Sequence, residues 1–252
     1  MFDVVILGGG LTGLTTAIAL SKHNIKVAII EKNDIKDIAK SERTITLSQG
    51  SIDFYKTIGI DFNLENVGKI SDIFITNHGG GKTEFCAKDI NIEYIGFVIK
   101  NSDIIENLIK NINQNITIFD NQTYTDIKKL DNGFEINKTI YCKTIIACDG
   151  INSNIFDIFD IDKSVVKYDQ TALMFNIKHS NEHKNIATEH FTPNGPFATL
   201  PLKNQNESTV VWSQNDNLHN VFDEKKLIND MSEYCPKWLG KIDVITPVLQ
   251  FP

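Results

Sequence analysis

Gly8-Gly9-Gly10-Leu11-Thr12-Gly13 puts glycines at all three positions of a GxGxxG pattern, and the chemistry of that spacing is the holding of a diphosphate. Gly8 permits a tight turn, Gly10 lets the backbone approach a pyrophosphate, and Gly13 lets a helix pack closely on a strand. The helix that starts at Leu11 and Thr12 offers unpaired N–H groups and a positive dipole end to the phosphates. Glu31, with Lys32 beside it, follows at about the 20-residue distance at which a ribose hydroxyl needs an acceptor. A glycine turn that merely packs a strand–helix corner would not require that acid. The full context favours dinucleotide binding.

Other motifs carry less. Asp149-Gly150-Ile151-Asn152-Ser153 follows an apolar strand, and by itself an Asp-Gly there is only a turn. Arg43, taken alone, reads as a solvated surface cation. Gly80-Gly81-Lys82-Thr83 resembles the end of a phosphate-binding P-loop, but Thr76 stands where the earlier glycine belongs, so a hairpin turn is expected. His179-Ser180-Asn181-Glu182-His183 matches the HxxEH of some zinc peptidases, which needs a helix to bring both imidazoles to one face. It lies in a short polar stretch after a strand ending at Ile177, and a loop without metal is expected. Cys86, Cys142, Cys148 and Cys235 show no CxxC or metal-ligand spacing and read as reduced core thiols.

The elements that must position these residues alternate strand and helix at the start. Val4 to Leu7 and Val27 to Ile30 are continuous apolar runs, as in strands covered on both faces. Leu11 to Lys22 has apolar residues at helical spacing, which completes a βαβ unit. Ile73 to Ile75 and Thr83 to Phe85 flank a glycine-rich turn and predict a hairpin belonging to another sheet. Ser102 to Ile112 predicts a helix with Ser102 as its N-cap. Ile116 to Phe119 is another strand, and Tyr124 to Leu130 and Phe134 to Ile136 flank a tight turn at Asp131-Asn132-Gly133. Thr144 to Ala147 is a strand running into Asp149. From about Val165 to Trp212 strands dominate, then a helix spans Asp223 to about Tyr234, and Val244 to Phe251 reads as a last strand. The reading is α/β, with two interleaved domains and no internal repeat.

Composition narrows the partners. The net charge is -7, which speaks against nucleic acid, because phosphate binding needs a basic face. Hydrophobic residues make up 41% and charged residues 23%, the composition of an ordinary globular chain. No apolar stretch approaches the roughly 20 residues needed to span a bilayer, and the N-terminus reads as a buried strand rather than a signal peptide. A cytoplasmic location is expected.

Taken with the N-terminal fingerprint and Arg43, the Asp149–Ser153 segment resembles the DGxxS fingerprint of the flavin-dependent aromatic hydroxylases. The ubiquinone-biosynthesis hydroxylases are more similar still. Their Arg-x-x-x-Leu stretch reads here Arg43-Thr44-Ile45-Thr46-Leu47, Phe191 to Leu202 resembles their strand and loop near the flavin ring, and Val210 to Ser213 resembles their next strand. The resemblance implies a Rossmann-like FAD-binding domain (1–70 and 95–164) interleaved with a mostly antiparallel β-sheet substrate domain (71–94 and 165–252). It implies FAD held by Gly8, Gly10, Leu11, Thr12, Gly13, Glu31 and Lys32. Arg43 would lie along the flavin side, and Asp149 and Gly150 would face the pyrophosphate and the nicotinamide donor. The implied reaction uses NAD(P)H and O2 to hydroxylate a polyprenylated phenol, a small lipophilic substrate. Peripheral contact with the inner membrane face or with a ubiquinone-biosynthesis complex follows from that substrate. No catalytic base is visible. Two departures stand out: Phe156 occupies the place of an arginine that usually follows the DGxxS serine, and no Gly-Asp fingerprint follows Gly240, so a truncated or split chain is expected. The alternatives are a non-catalytic remnant and another FAD oxidoreductase such as a lipid-chain reductase; a halogenase would need a lysine and a Trp-rich motif that are not seen.

Overall fold

The computed structural model describes residues 1–40, 43–215 and 224–251. The chain forms two compact units. The first comprises Met1–Ile45, Ile52–Phe62 and Lys100–Val165; the second comprises Thr46–Ser51, Asn63–Ile99 and the chain from Val166 on.

The first unit is built on a six-stranded sheet. Its parallel half contains β1 (Phe2–Leu7), β2 (Val27–Ile30), β8 (Ile116–Phe119) and β11 (Ile140–Ala147), and β10 (Gly133–Ile136) and β9 (Ile127–Leu130) extend it antiparallel. The order is β8-β2-β1-β11-β10-β9. Val5 and Leu7 share one face with Ala28 and Ile30 and pack against Ile136, Ile140, Cys142 and Ile155. Helix α1 (Leu11–Ser21) buries Leu14, Ala17 and Ile18 against β1, β2 and α4 (Asn101–Lys110). Burial on both faces is why these strands read as unbroken apolar runs. Short helices α2 (Ile35–Ile38) and α5 (Ile155–Ile158) follow β2 and β11, and α3 (Gln49–Thr57) straddles the boundary between units.

The second unit carries an eight-stranded sheet and a three-stranded one. In the larger, β12 (Gln170–His179), β15 (Glu207–Asn215), β14 (Gly195–Pro201) and β13 (Ile186–Thr192) run antiparallel. A parallel step then leads from β13 to β5 (Asp72–Asn77), which pairs with β6 (Lys82–Cys86). Helix α6 (Glu224–Tyr234) covers one face, where Leu227, Met231 and Cys235 meet Leu173, Phe175, Ile177, Phe197, Val210 and Trp212. The smaller sheet joins β3 (Thr44–Ser48), β7 (Gly96–Lys100) and β4 (Gly68–Ile70). The hairpin expected at 73–85 is present, but its unit extends past the expected 71–94. The reason is pairing: β4 and β7 hydrogen-bond to each other, and a Cβ on Gly68 would lie 2.0 Å from the Pro201 carbonyl oxygen of β14.

Three local expectations need correction. Ser102 lies inside α4 rather than at its cap; Lys100 is the N-cap and makes no side-chain cap bond, while the Ser102 hydroxyl turns to Asp103. The single strand expected over Val244 to Phe251 is two, β16 (Ile242–Val244) and β17 (Leu249–Phe251), both paired with β12 and interrupted around Pro247, which has no N–H to donate. Tyr124 precedes β9 instead of opening it. Asp223, the expected start of the last helix, lies outside the described residues.

Candidate cofactor-binding site

Leu7 pairs with Ile30 on one side of β1 and with Ala147 on the other. The turns after β1, β2 and β11 therefore emerge together from the carboxyl ends of the parallel strands. The chain leaves β1 towards β2 on one side, and β11 lies on the other, so this is the point where strand order reverses, the usual ligand crevice of such sheets. A cleft of about 540 Å3 opens there within the first unit, lined by Gly8, Gly10, Glu31, Lys32, Asp149 and Gly150 among others.

Each glycine of the fingerprint has a distinct geometric reason. Gly8 has φ +100°, and a Cβ there would stand 2.5 Å from the Cys148 carbonyl oxygen. A Cβ on Gly13 would stand 1.9 Å from the Gly8 carbonyl oxygen, so α1 can seat on β1 only without one. Around Gly10 a Cβ would meet nothing within 4 Å, so that glycine leaves open space instead of relieving a clash. Gly10 is the N-cap of α1 and supplies no side-chain bond, and no acidic residue occupies the first turn. The first intrahelical bond runs from the Leu14 N–H to the Gly10 carbonyl at 2.9 Å. The N–H groups of Leu11, Thr12 and Gly13 precede it and have no partner within the helix. The positive end of the helix is thus left for an external anion.

Glu31 directly follows β2 and is buried. One carboxylate oxygen accepts the Gly9 N–H at 2.7 Å, and the other accepts the Asn33 backbone N–H at 2.9 Å and its side-chain amide at 3.1 Å. On the opposite wall the Tyr124 hydroxyl donates to the Asp149 carboxylate. Burial, then that carboxylate, push the Tyr124 phenol up to about 12, so it stays a donor. Gly150 has φ +86° and open space about its Cα. The cleft therefore offers a helix end for a diphosphate and a fixed carboxylate for a sugar hydroxyl.

The fold brings Gly8, Gly10, Glu31, Lys32, Asp149 and Gly150 to one cleft. Leu11 and Thr12 follow directly in the first turn, and Gly13 is buried behind them. Arg43 is exposed ahead of β3, its carbonyl accepting the Asn101 N–H at 2.8 Å, and is not part of the cleft lining. Sequence reasoning did not single out Tyr124 or Asn33. Neither had a readable signal: Asn33 acts by donating back to the acid two residues before it, and Tyr124 stands in a connection. Phe156 lies in α5, with the Lys163 ammonium 5.9 Å from its ring centroid.

The HxxEH stretch is not helical. His179 ends β12, and both imidazoles are buried on protein partners: His179 meets the Asn181 carbonyl and the Ser208 hydroxyl, and His183 meets the carbonyls of Leu202 and Asn204 and the Asn185 N–H. Asp72, Glu84 and Cys86 do converge. The Asp72 carboxylate, then burial, push the Cys86 thiol up to about 12, and the thiol donates to the Glu84 carboxylate at 3.4 Å.

Residues 1–235 match the family model described as FAD binding domain. Ubiquinone hydroxylase UbiL of Rhodospirillum rubrum is 25% identical over 226 residues, covering 86% of this chain and 52% of that protein. The 3-demethoxyubiquinol 3-hydroxylase of Escherichia coli K12 is 20% identical over 260 residues, covering 98% of this chain and 66% of that protein. The chain thus spans about half to two thirds of the length of these relatives. Among solved structures, p-nitrophenol 4-monooxygenase PnpA of Pseudomonas putida superposes with a TM-score of 0.75 over 100% of this chain and 67% of its own, at 15% identity, which establishes a common fold.

Proposed function

This chain belongs to the FAD binding domain family, and on that premise we propose that it acts as an FAD-dependent monooxygenase hydroxylating a polyprenylated phenol in ubiquinone biosynthesis, with NAD(P)H as reductant and O2 as oxygen source. One observation carries the cofactor half of this reading: the uncapped amino end of α1 opens beside a buried carboxylate, with free space at Gly10 where a side chain would otherwise stand. The substrate half draws on the relatives named as a ubiquinone hydroxylase and a 3-demethoxyubiquinol 3-hydroxylase.

The residues present fit FAD. Gly8, Gly10 and Gly13 shape the cradle, and the N–H groups of Leu11, Thr12 and Gly13 hold the pyrophosphate. Glu31 accepts from the adenosine ribose, and the exposed Lys32 adds a cation at the rim. Asp149 and Gly150 face the pyrophosphate and the nicotinamide donor, with Tyr124 fixing the Asp149 carboxylate. Arg43, exposed ahead of β3 and outside the cleft lining, would stand on the flavin side. FAD supplies the electron-transfer and oxygen chemistry; the protein binds, orients and excludes water. A lipophilic substrate implies delivery from a membrane surface or within a biosynthetic complex. No helix among the described residues is long and apolar enough to cross a membrane.

The test is direct. The purified chain should show yellow flavin absorbance, and phenols should stimulate its NAD(P)H oxidation with an oxygenated product. Protein that stays colourless after incubation with FAD overturns the reading. Double-bond reduction in place of oxygen insertion would assign a lipid-chain reductase instead.

A further inference from the structure

The two faces of the eight-stranded sheet differ. Leu173, Trp212 and Phe197 lie in one row and are buried beneath α6. One residue along each strand the face reverses, and the row reads Met174, Val211, Ala198, Glu189, Ile75 and Thr83. Its members on β12 to β5 are only half-buried. The rows on either side bring up Pro196 and Phe191 at one flank and Leu200, Ala187 and Ile73 at the other, where Ile70 and Val98 of the smaller sheet close over the face. Glu189 is the one titratable group among these residues. Its carboxylate has no hydrogen bond or ion pair to another described residue.

A half-buried acid set among alkyl side chains with no partner among the described residues keeps its lone pairs open to water or to a ligand's donor. The complementary molecule is apolar, lies along Ala198 and Val211, and carries one donor. We propose that this face binds a prenylated phenol, its ring on Ala198, its prenyl chain running over Val211 and its hydroxyl donating a hydrogen bond to the Glu189 carboxylate on the neighbouring strand. The inference rests on the reading of the chain as a phenol hydroxylase and names the residue that meets the ring hydroxyl. Burial pushes the Glu189 carboxyl up, which suits it to accept the phenolic proton: the proton passes from the ring oxygen to the carboxylate, and the negative charge passes to the ring.

The experiment uses the FAD-incubated chain and soluble probes, followed by calorimetric titration. 2-Allylphenol should bind about tenfold more tightly than 2-allylanisole, its methyl ether without a donor. In Glu189→Leu that preference should vanish, in Glu189→Gln it should narrow, and Ala198→Phe, which fills the face, should abolish binding of both probes. Unchanged melting curves show that each variant folds. Equal affinity for phenol and ether in the parent chain overturns the proposal, as does a preference that survives Glu189→Leu or tighter binding of phenethylammonium than of 2-allylphenol. FAD retention and phenol-stimulated NAD(P)H oxidation are read on the same samples. If both persist while Glu189→Leu leaves the probe preference intact, this inference alone fails; loss of FAD retention in the parent chain defeats the functional reading itself.

Discussion

The Glu31 carboxylate accepts the backbone N–H of Gly9 at 2.7 Å, tying the end of β2 to the first glycine loop. With Asn33 on its other oxygen, this buried acid fixes two turns of the cleft before any ligand arrives. Glu31→Ala leaves the Gly9 and Asn33 donors unpaired and should cost about 1–3 kcal/mol in urea unfolding. It should also weaken FAD retention. A variant as stable and as yellow as the parent would refute the assignment.

Gly10 and Gly13 should separate binding from folding. Gly10→Leu enters open space at an ordinary φ of -73°, so its unfolding midpoint should stay close to the parent's while FAD is lost. Gly13→Ala forces a methyl to 1.9 Å from the Gly8 carbonyl oxygen and should lower the melting temperature sharply. Flavin absorbance and thermal melts on the two variants read the contrast.

His179 and His183 make stability pH-dependent. Burial lowers both imidazoles below their usual 6.5. Each backbone carbonyl partner, and Glu207 for His179 and Glu182 for His183, pull the other way with smaller effect. A depressed folded value means that the contribution is full above the unfolded value and is lost as pH falls from about 6.5 towards the folded one. Urea midpoints should therefore drop between about pH 7 and pH 5. Replacing His183 with Gln should flatten part of that slope. A slope unchanged in that variant would place the titration elsewhere.

Trp212 is buried beneath α6, and its indole N–H has no hydrogen-bond partner among the described residues. Trp212→Phe removes the unpaired donor while keeping a ring against Phe197 and Tyr234, so it should cost less than about 1.5 kcal/mol. Trp212→Ala empties the site and should cost about 3–5 kcal/mol. Equal losses would mean that the indole nitrogen is paired in solution.

Local pattern determined the parts of the fold whose cause is local. The apolar runs Val4–Leu7 and Val27–Ile30, the three glycines and Glu31 make the βαβ unit readable, because the spacing of strand, turn and helix start is set within one stretch of chain. The hairpin at Asp72–Cys86 was legible for the same reason. Tertiary structure decided what depends on neighbours far along the chain. Tyr124 reaches Asp149 only because β8 and β11 lie in one sheet, and Gly68 belongs with Pro201 although the sequence places it beside the first domain. Glu189 looks like any strand glutamate until the register of β13 with β14 and β5 sets it between Ala198 and Ile75. Alternation along a strand says that two faces exist; which face a helix covers is decided by burial, and burial is a property of the assembled sheet.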